Sequence, residues 1–150
     1  VKKFSDYLAA MAVTFWVGGL WAIGFSASVL FANLTDKQLA GMLAGKLFIF
    51  IAYVGIACGL YLLIFRLSRF GAAAMKQVFF WAVLIMLLLT LAGHFGIQPI
   101  LESLKAQAMP KAVMESIFRD RFQAWHGVSS IMYLLEGLLG LVLVLKPGTR

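Results

Sequence analysis

Four long apolar runs divide the chain, separated by short polar groups. They cover residues 7–31, 47–65, 78–97 and 126–145. Each matches the roughly 20 mostly apolar residues that a helix needs to cross a bilayer. The first run holds no charge. The second is bounded by Lys46 and Arg66. The third is entered after Lys76 and stops before Pro99, and the fourth opens at His126 and is closed by Lys146, Pro147 and Gly148. None alternates apolar and polar residues as a barrel strand would, and an open strand cannot satisfy its backbone in lipid. The pattern predicts an all-α integral membrane protein: one domain, a four-helix bundle, antiparallel and up-down.

The polar connections predict helical extensions on the outer face. Thr35-Asp36-Lys37-Gln38 matches a capping box, so the second helix starts near Asp36 and projects above the membrane. Pro110 suits the first turn of a helix. After it, Val113, Met114, Ile117, Phe118, Phe122 and Trp125 recur at helical spacing, with Lys111, Glu115, Arg119 and Asp120 largely off that stripe. An amphipathic helix over residues 110–125 is expected there.

Composition narrows the class. Hydrophobic residues make up 63% of the 150 and charged residues 13%, and mean hydropathy is +0.95. A soluble domain carries about 25% charged residues, so this chain cannot cover a water-facing surface. The net charge of +7 does not indicate nucleic acid, because the basic residues sit in short groups at the ends of apolar runs. Lys2, Lys3, Arg66, Arg69, Lys76, Lys146 and Arg150 fall on one side, in short segments. Lys37, Lys46, Lys105, Lys111, Arg119 and Arg121 fall on the other, mostly in a long loop. The positive-inside rule weighs short segments more, which places both termini in the cytoplasm. The first run exceeds the roughly 7–15 residues of a signal-peptide core and has no Ala-x-Ala site, so it is expected to be a retained helix. One cysteine, Cys58, gives no disulfide or CxxC pair and is expected to be a packing residue.

Polar residues inside the spans are the candidates for chemistry. His94, near the outer end of the third helix, and His126, opening the fourth, lie at similar depth on antiparallel neighbours. Two such histidines can hold a haem iron or a copper ion, relay protons, or simply hydrogen-bond at the interface. Thr90 beside His94, and Ser129, Ser130 and Tyr133 beside His126, are candidate supporting hydroxyls. Glu136 is the one carboxylate within a span, and burying it costs a few kcal/mol. It lies about 15 Å deeper than His126 at 1.5 Å per residue, with Tyr53, Thr14 and Thr90 as candidate neighbours. It reads either as a neutral interhelical tie or as a group that handles protons or cations. Met109 and Met114 in the outer loop are weaker copper candidates, and Trp16, Trp21, Trp81 and Trp125 read as interfacial or packing aromatics. Ala10, Thr14, Gly18, Ala22 and Ser26 form a small-residue stripe on the first helix. Gly55 with Gly59, and Gly137 with Gly140, do the same on the second and fourth. Such stripes pack helices closely within a bundle, or form a seam with another chain. No Gly-rich phosphate loop, GxSxG or HExxH is present.

Several segments carry a family resemblance. They are Phe15-Trp16-Val17-Gly18-Gly19-Leu20-Trp21, Gly45-Lys46-Leu47-Phe48, and Phe122-Gln123-Ala124-Trp125-His126-Gly127-Val128-Ser129-Ser130. Together they resemble a family of small four-helix membrane proteins, a domain of unknown function that groups bacterial inner-membrane proteins with a human transmembrane protein linked to cisplatin resistance. A looser similarity runs to the membrane domain of copper-resistance protein D and to the four-helix protoporphyrinogen oxidase that binds haem b. The first helix here lacks the histidine that the oxidase family uses, so the resemblance implies only His94 and His126 as candidate ligands. Three readings follow. The first is a non-enzymatic membrane protein binding copper or haem b near the periplasmic face. The second is an accessory subunit of a homo-oligomer or larger membrane complex. The third is a proton-coupled transporter or membrane oxidoreductase using Glu136.

Overall fold

In a computed structural model, which describes residues 1–147, the chain is helical almost throughout. Gly148 and Arg150, which enter the sequence argument above, lie outside the described residues. Helix α1 spans Lys2–Asn33 and α2 spans Lys37–Phe70. A 3₁₀ turn, Gly71–Lys76, leads into α3 (Val78–Leu91). A π-helical turn, Ala92–Ile97, joins α3 to α4 (Gln98–Ala108) without a break, and α5 spans Arg119–Leu145. Among the described residues there are four helical rods long and apolar enough to cross a membrane: Lys2–Asn33, Lys37–Lys76, Val78–Ala108 and Arg119–Leu145. The protein is a four-helix membrane bundle.

The rods are unequal. The 34 residues of α2 span about 51 Å at 1.5 Å per residue, against about 30 Å of hydrocarbon. Its first residue is set by Asp36, whose carboxylate accepts hydrogen bonds from the backbone N–H of Gln38 at 3.0 Å and Leu39 at 3.1 Å. The cap is therefore Asp36, one residue later than the Thr35 of a capping box. The end of α2 is set by Gly71, whose φ of +54° is a conformation that a side chain disfavours. The Trp81 indole then donates to Met75 O at 2.8 Å and holds the turn against α3.

Two expectations are corrected at the end of the bundle away from the termini. The third rod does not stop before Pro99 but continues to Ala108. Pro99 sits in the first turn of α4, directly after the π turn, where the wider backbone spacing removes the i−4 clash that a proline causes inside an α-helix. The amphipathic helix expected over residues 110–125 forms only from Arg119. Residues 109–118 are turns with a short 3₁₀ segment, Val113–Glu115. Pro110 follows the end of α4 instead of opening a helix, and the apolar Ile117 of the expected stripe is 92% exposed. The extension at this end is built by the start of α2 and by α4. Leu101, Leu104 and Ala108 of α4 are buried, while Glu102, Ser103 and Gln107 face out.

The core is assembled around Trp16, which is fully buried. Its ring lies on the bare backbone of α2. A Cβ added at Gly55 would stand 2.5 Å from the indole Nε1, and one at Gly59 would stand 3.1 Å from Cη2. On the other flank of α1, Val17 packs where Gly140 of α5 has no side chain, at 3.0 Å from an added Cβ. Trp21 lies over Gly137 and donates its indole N–H to Gly137 O at 3.2 Å. The Tyr133 hydroxyl donates to Leu20 O, and its ring meets Phe48 of α2 edge-on at 5.0 Å. Lipid offers no hydrophobic drive between helices, so close approach over glycine and hydrogen bonds supply the cohesion. The small-residue stripe of α1 has no such part within the chain. Ala10, Thr14, Gly18, Ala22 and Ser26 are all exposed, and nothing lies within 4 Å of a Cβ built at Gly18.

This contrast makes a paired prediction. Gly55→Ala drives a methyl into Trp16 and should cost about 1–3 kcal/mol in unfolding from detergent. Gly18→Ala should leave the unfolding midpoint of the single chain unchanged. Equal effects at the two positions would refute this account of the core.

Candidate functional site: a carboxyl group in the bundle core

Glu136 faces inward. It is 6% exposed, on the α5 face that also buries Gly137, Gly140 and Leu143. Its polar neighbour is Thr90 of α3, itself 5% exposed. The Thr90 hydroxyl donates to Met86 O, one turn back on its own helix, at 2.8 Å. A hydroxyl has one proton and two lone pairs. While Thr90 donates to Met86 O, it can only accept from Glu136, which requires a protonated carboxyl. An ionised Glu136 would instead draw the Thr90 proton to itself and leave Met86 O to its helical bond. Two hydrogen-bond arrangements are thus chemically open to the pair, one for each protonation state. Among the described residues, ion pairs join Arg69 to Asp6 and Lys105 to Glu102, and Glu136 belongs to neither.

Of the three neighbours expected for Glu136, the structure brings only Thr90 to it. Thr14 is on the outward face of α1, with its hydroxyl donated to Ala10 O at 2.9 Å. Tyr53 is 56% exposed and lies against His94, the ring centroids 4.9 Å apart and the planes at 69°. The wider π turn separates residues that an α-helix would stack: Thr90, just before it, faces the core, whereas His94, within it, lies against α2.

The histidines have separate surroundings. His94 lies between Tyr53 and Phe95. His126 is exposed and stacks on Phe122, one turn back on the same helix, with centroids 5.8 Å apart and planes at 7°. Among the described residues no ring contact joins the two imidazoles, and no group of three His, Cys, Asp or Glu side chains is placed to hold a metal ion. Two of the expected supporting hydroxyls are committed elsewhere: Ser130 donates to His126 O at 2.8 Å, and Tyr133 to Leu20 O. Met109 and Met114 are exposed, and Cys58 is half-buried in α2.

The opposite end of the bundle carries a residue that sequence reading assigned only to the membrane rim. Arg66 is 4% exposed. Its guanidinium lies 4.0 Å from the centre of the Phe79 ring and donates to Gln77 Oε1 at 3.3 Å and to Pro147 O. It thereby ties the end of α2 to the start of α3 and to the segment after α5. The available signal was that Arg66 interrupts an apolar run three residues before Arg69, instead of lying beyond it. Arg69 pairs with Asp6 of α1, and Tyr61 donates to Ser5 O at 3.1 Å. The first turns of α1 and Pro147 therefore share this end.

These features define a multi-pass membrane bundle with a buried carboxyl group. The chain belongs to the family described as a domain of unknown function, DUF4149, which matches residues 11–110, two thirds of its length. The matched segment holds Trp16, Gly55, Gly59, Thr90 and His94 but ends before α5, which carries His126 and Glu136. No curated protein and no solved structure matches the chain.

The Arg66 clamp can be tested by its geometry. Arg66→Lys keeps the charge but cannot fork to two acceptors while lying flat on a ring. It should lose about 1–2 kcal/mol, and Arg66→Ala about 2–4 kcal/mol, in reversible unfolding. Full stability in Arg66→Lys would show that charge alone matters.

Proposed function

We propose that this protein handles protons within the membrane, binding and releasing one at Glu136 in support of proton-coupled transport. The observation that carries this reading is the inward, 6%-exposed carboxyl group set against Thr90. An ionisable residue inside a span is costly and is found where charge or protons are moved. A tie between helices would need only a permanent hydrogen bond. The Thr90–Met86 arrangement supplies acceptors and donors for either protonation state. Glu136→Gln retains the side-chain shape and can still hydrogen-bond Thr90, so the fold should survive. In reconstituted protein, a pH jump should produce an infrared carboxylic-acid band change that is absent from Glu136→Gln. Dye-reported proton movement across the vesicle should fall at least about tenfold, the typical scale for removing a proton-transfer group. A carboxylic-acid band that stays constant across pH, with unaltered proton movement, would reduce Glu136 to an interhelical tie.

A second reading, assembly with another transmembrane helix, is favoured by the outward stripe of α1. Thr14 and Ser26 return their hydroxyls to Ala10 O and Ala22 O. This leaves a smooth surface of small side chains centred on Gly18. Gly18→Leu should convert an associated species into a monomer in mild detergent, as read by light scattering. Recovery of the wild type as a monomer at every protein-to-detergent ratio would remove this reading.

A further inference from the structure

The basic end of the bundle contains a shallow, open groove between the first turns of α1 and the last turns of α2. Its walls include Tyr61, Ile64, Phe65 and Ser68, and Lys2 and Arg69 are among its cations. The polar atoms of the walls are spent internally. The Tyr61 hydroxyl donates to Ser5 O, and Ser68 donates to Ile64 O at 2.6 Å. The Tyr61 and Phe65 rings stack with centroids 6.1 Å apart. What remains for an occupant is apolar surface flanked by two cations. Ile64 is 65% exposed on that surface.

The geometry points to an anionic phospholipid bound in this groove, its acyl chain along Ile64 and Phe65 and its phosphate beside Lys2 and Arg69. A free phosphate would use the cations and leave the apolar wall unmatched. A zwitterionic lipid would use the wall, but its own cation would offset the phosphate. The level fits as well, because Lys2, Lys3, Arg69, Lys76 and Lys146 gather at this end of the spans. Basic pockets between transmembrane helices are suited to lipid headgroups, each cation near an anionic membrane surface contributing on the scale of about fivefold in affinity. One group opposes the ligand. Asp6 holds Arg69, which also lies 5.8 Å from the Phe65 ring centre, so the carboxylate competes with a phosphate for the same guanidinium.

That competition gives a test in which the expected change is a gain. The full chain in mild detergent is mixed with phosphatidylglycerol and phosphatidylcholine of equal acyl composition, and retained lipid is counted by native mass spectrometry. The wild type should retain phosphatidylglycerol preferentially. Lys2→Gln should lower that preference about fivefold, and Asp6→Asn should raise it by a similar factor. Ser68→Trp, which fills the groove without changing charge, should expel both lipids. Glycerol phosphate should fail to displace the bound lipid. Equal retention of the two lipids would overturn the proposal, as would displacement by glycerol phosphate or a lower preference in Asp6→Asn.

Discussion

Trp16 rests on α2 at two positions where there is no side chain, Gly55 and Gly59, and the rest of the bundle is arranged around that contact. Between helices in lipid, burying apolar surface gains little, because the alternative neighbour is also hydrocarbon. Cohesion has to come from close contact and from polar bonds. An indole laid on a glycine pair gives the first over a large area. Once Trp16 fixes α1 on α2, Val17 and Trp21 are turned toward α5. There they meet the second glycine pair, Gly140 and Gly137, and Trp21 adds a hydrogen bond to a backbone carbonyl. One helix thus uses successive positions to hold two neighbours.

This arrangement explains why a carboxylate can sit in the core. Gly137 and Gly140 hold α5 against α1, and Glu136, on the same side of α5, is carried inward with them. Its partner comes from α3, where Thr90 already has a bond to Met86 O and needs no reorganisation to receive a proton donor. The same side chain rotated toward lipid would meet nothing polar. The cost of the acid is therefore set by helix rotation, and the rotation is set by glycines one turn away.

The spans were legible because apolar length is a one-dimensional property. So were the start of α2 near Asp36, which follows from a side-chain cap, and the inward interest of Glu136, which follows from its isolation among apolar residues. What failed to show was anything requiring rotation or backbone register. The small residues of α1 and those of α2 and α5 look alike in sequence, yet the first set faces out and the others lie under Trp16, Trp21 and Val17. The π turn has no residue signature, so Pro99 read as a stop, and Thr90 and His94 read as sharing a face. Pro110 and the periodic residues after it read as a helix start because spacing alone does not report that Ile117 has nothing to pack against. Arg66 read as a rim charge because its acceptors, Gln77 and Pro147, are 11 and 81 residues away.

The two ends of the bundle are built on different terms, and this bears on how Glu136 could exchange a proton. At one end, polar ties cross between elements: Arg66 to Gln77 and Pro147, Arg69 to Asp6, Tyr61 to Ser5. Separating the helices there breaks several charge-assisted bonds at once. Toward the other end lie the π turn, with its irregular hydrogen bonding, and an extension whose side-chain hydrogen bonds are local ones, such as Lys105 to Glu102 and Gln107 to Ser103. Opening at that end costs ring and apolar contacts, which reform with lipid or with one another. If Glu136 exchanges a proton with water, as proposed, the side past Thr90 and the His94 turn has fewer polar ties to break than the side past Arg66. On that proposal, the clamp would not need to touch the carboxyl group to influence it: the polar ties at one end would leave the other as the side that separates at lower cost.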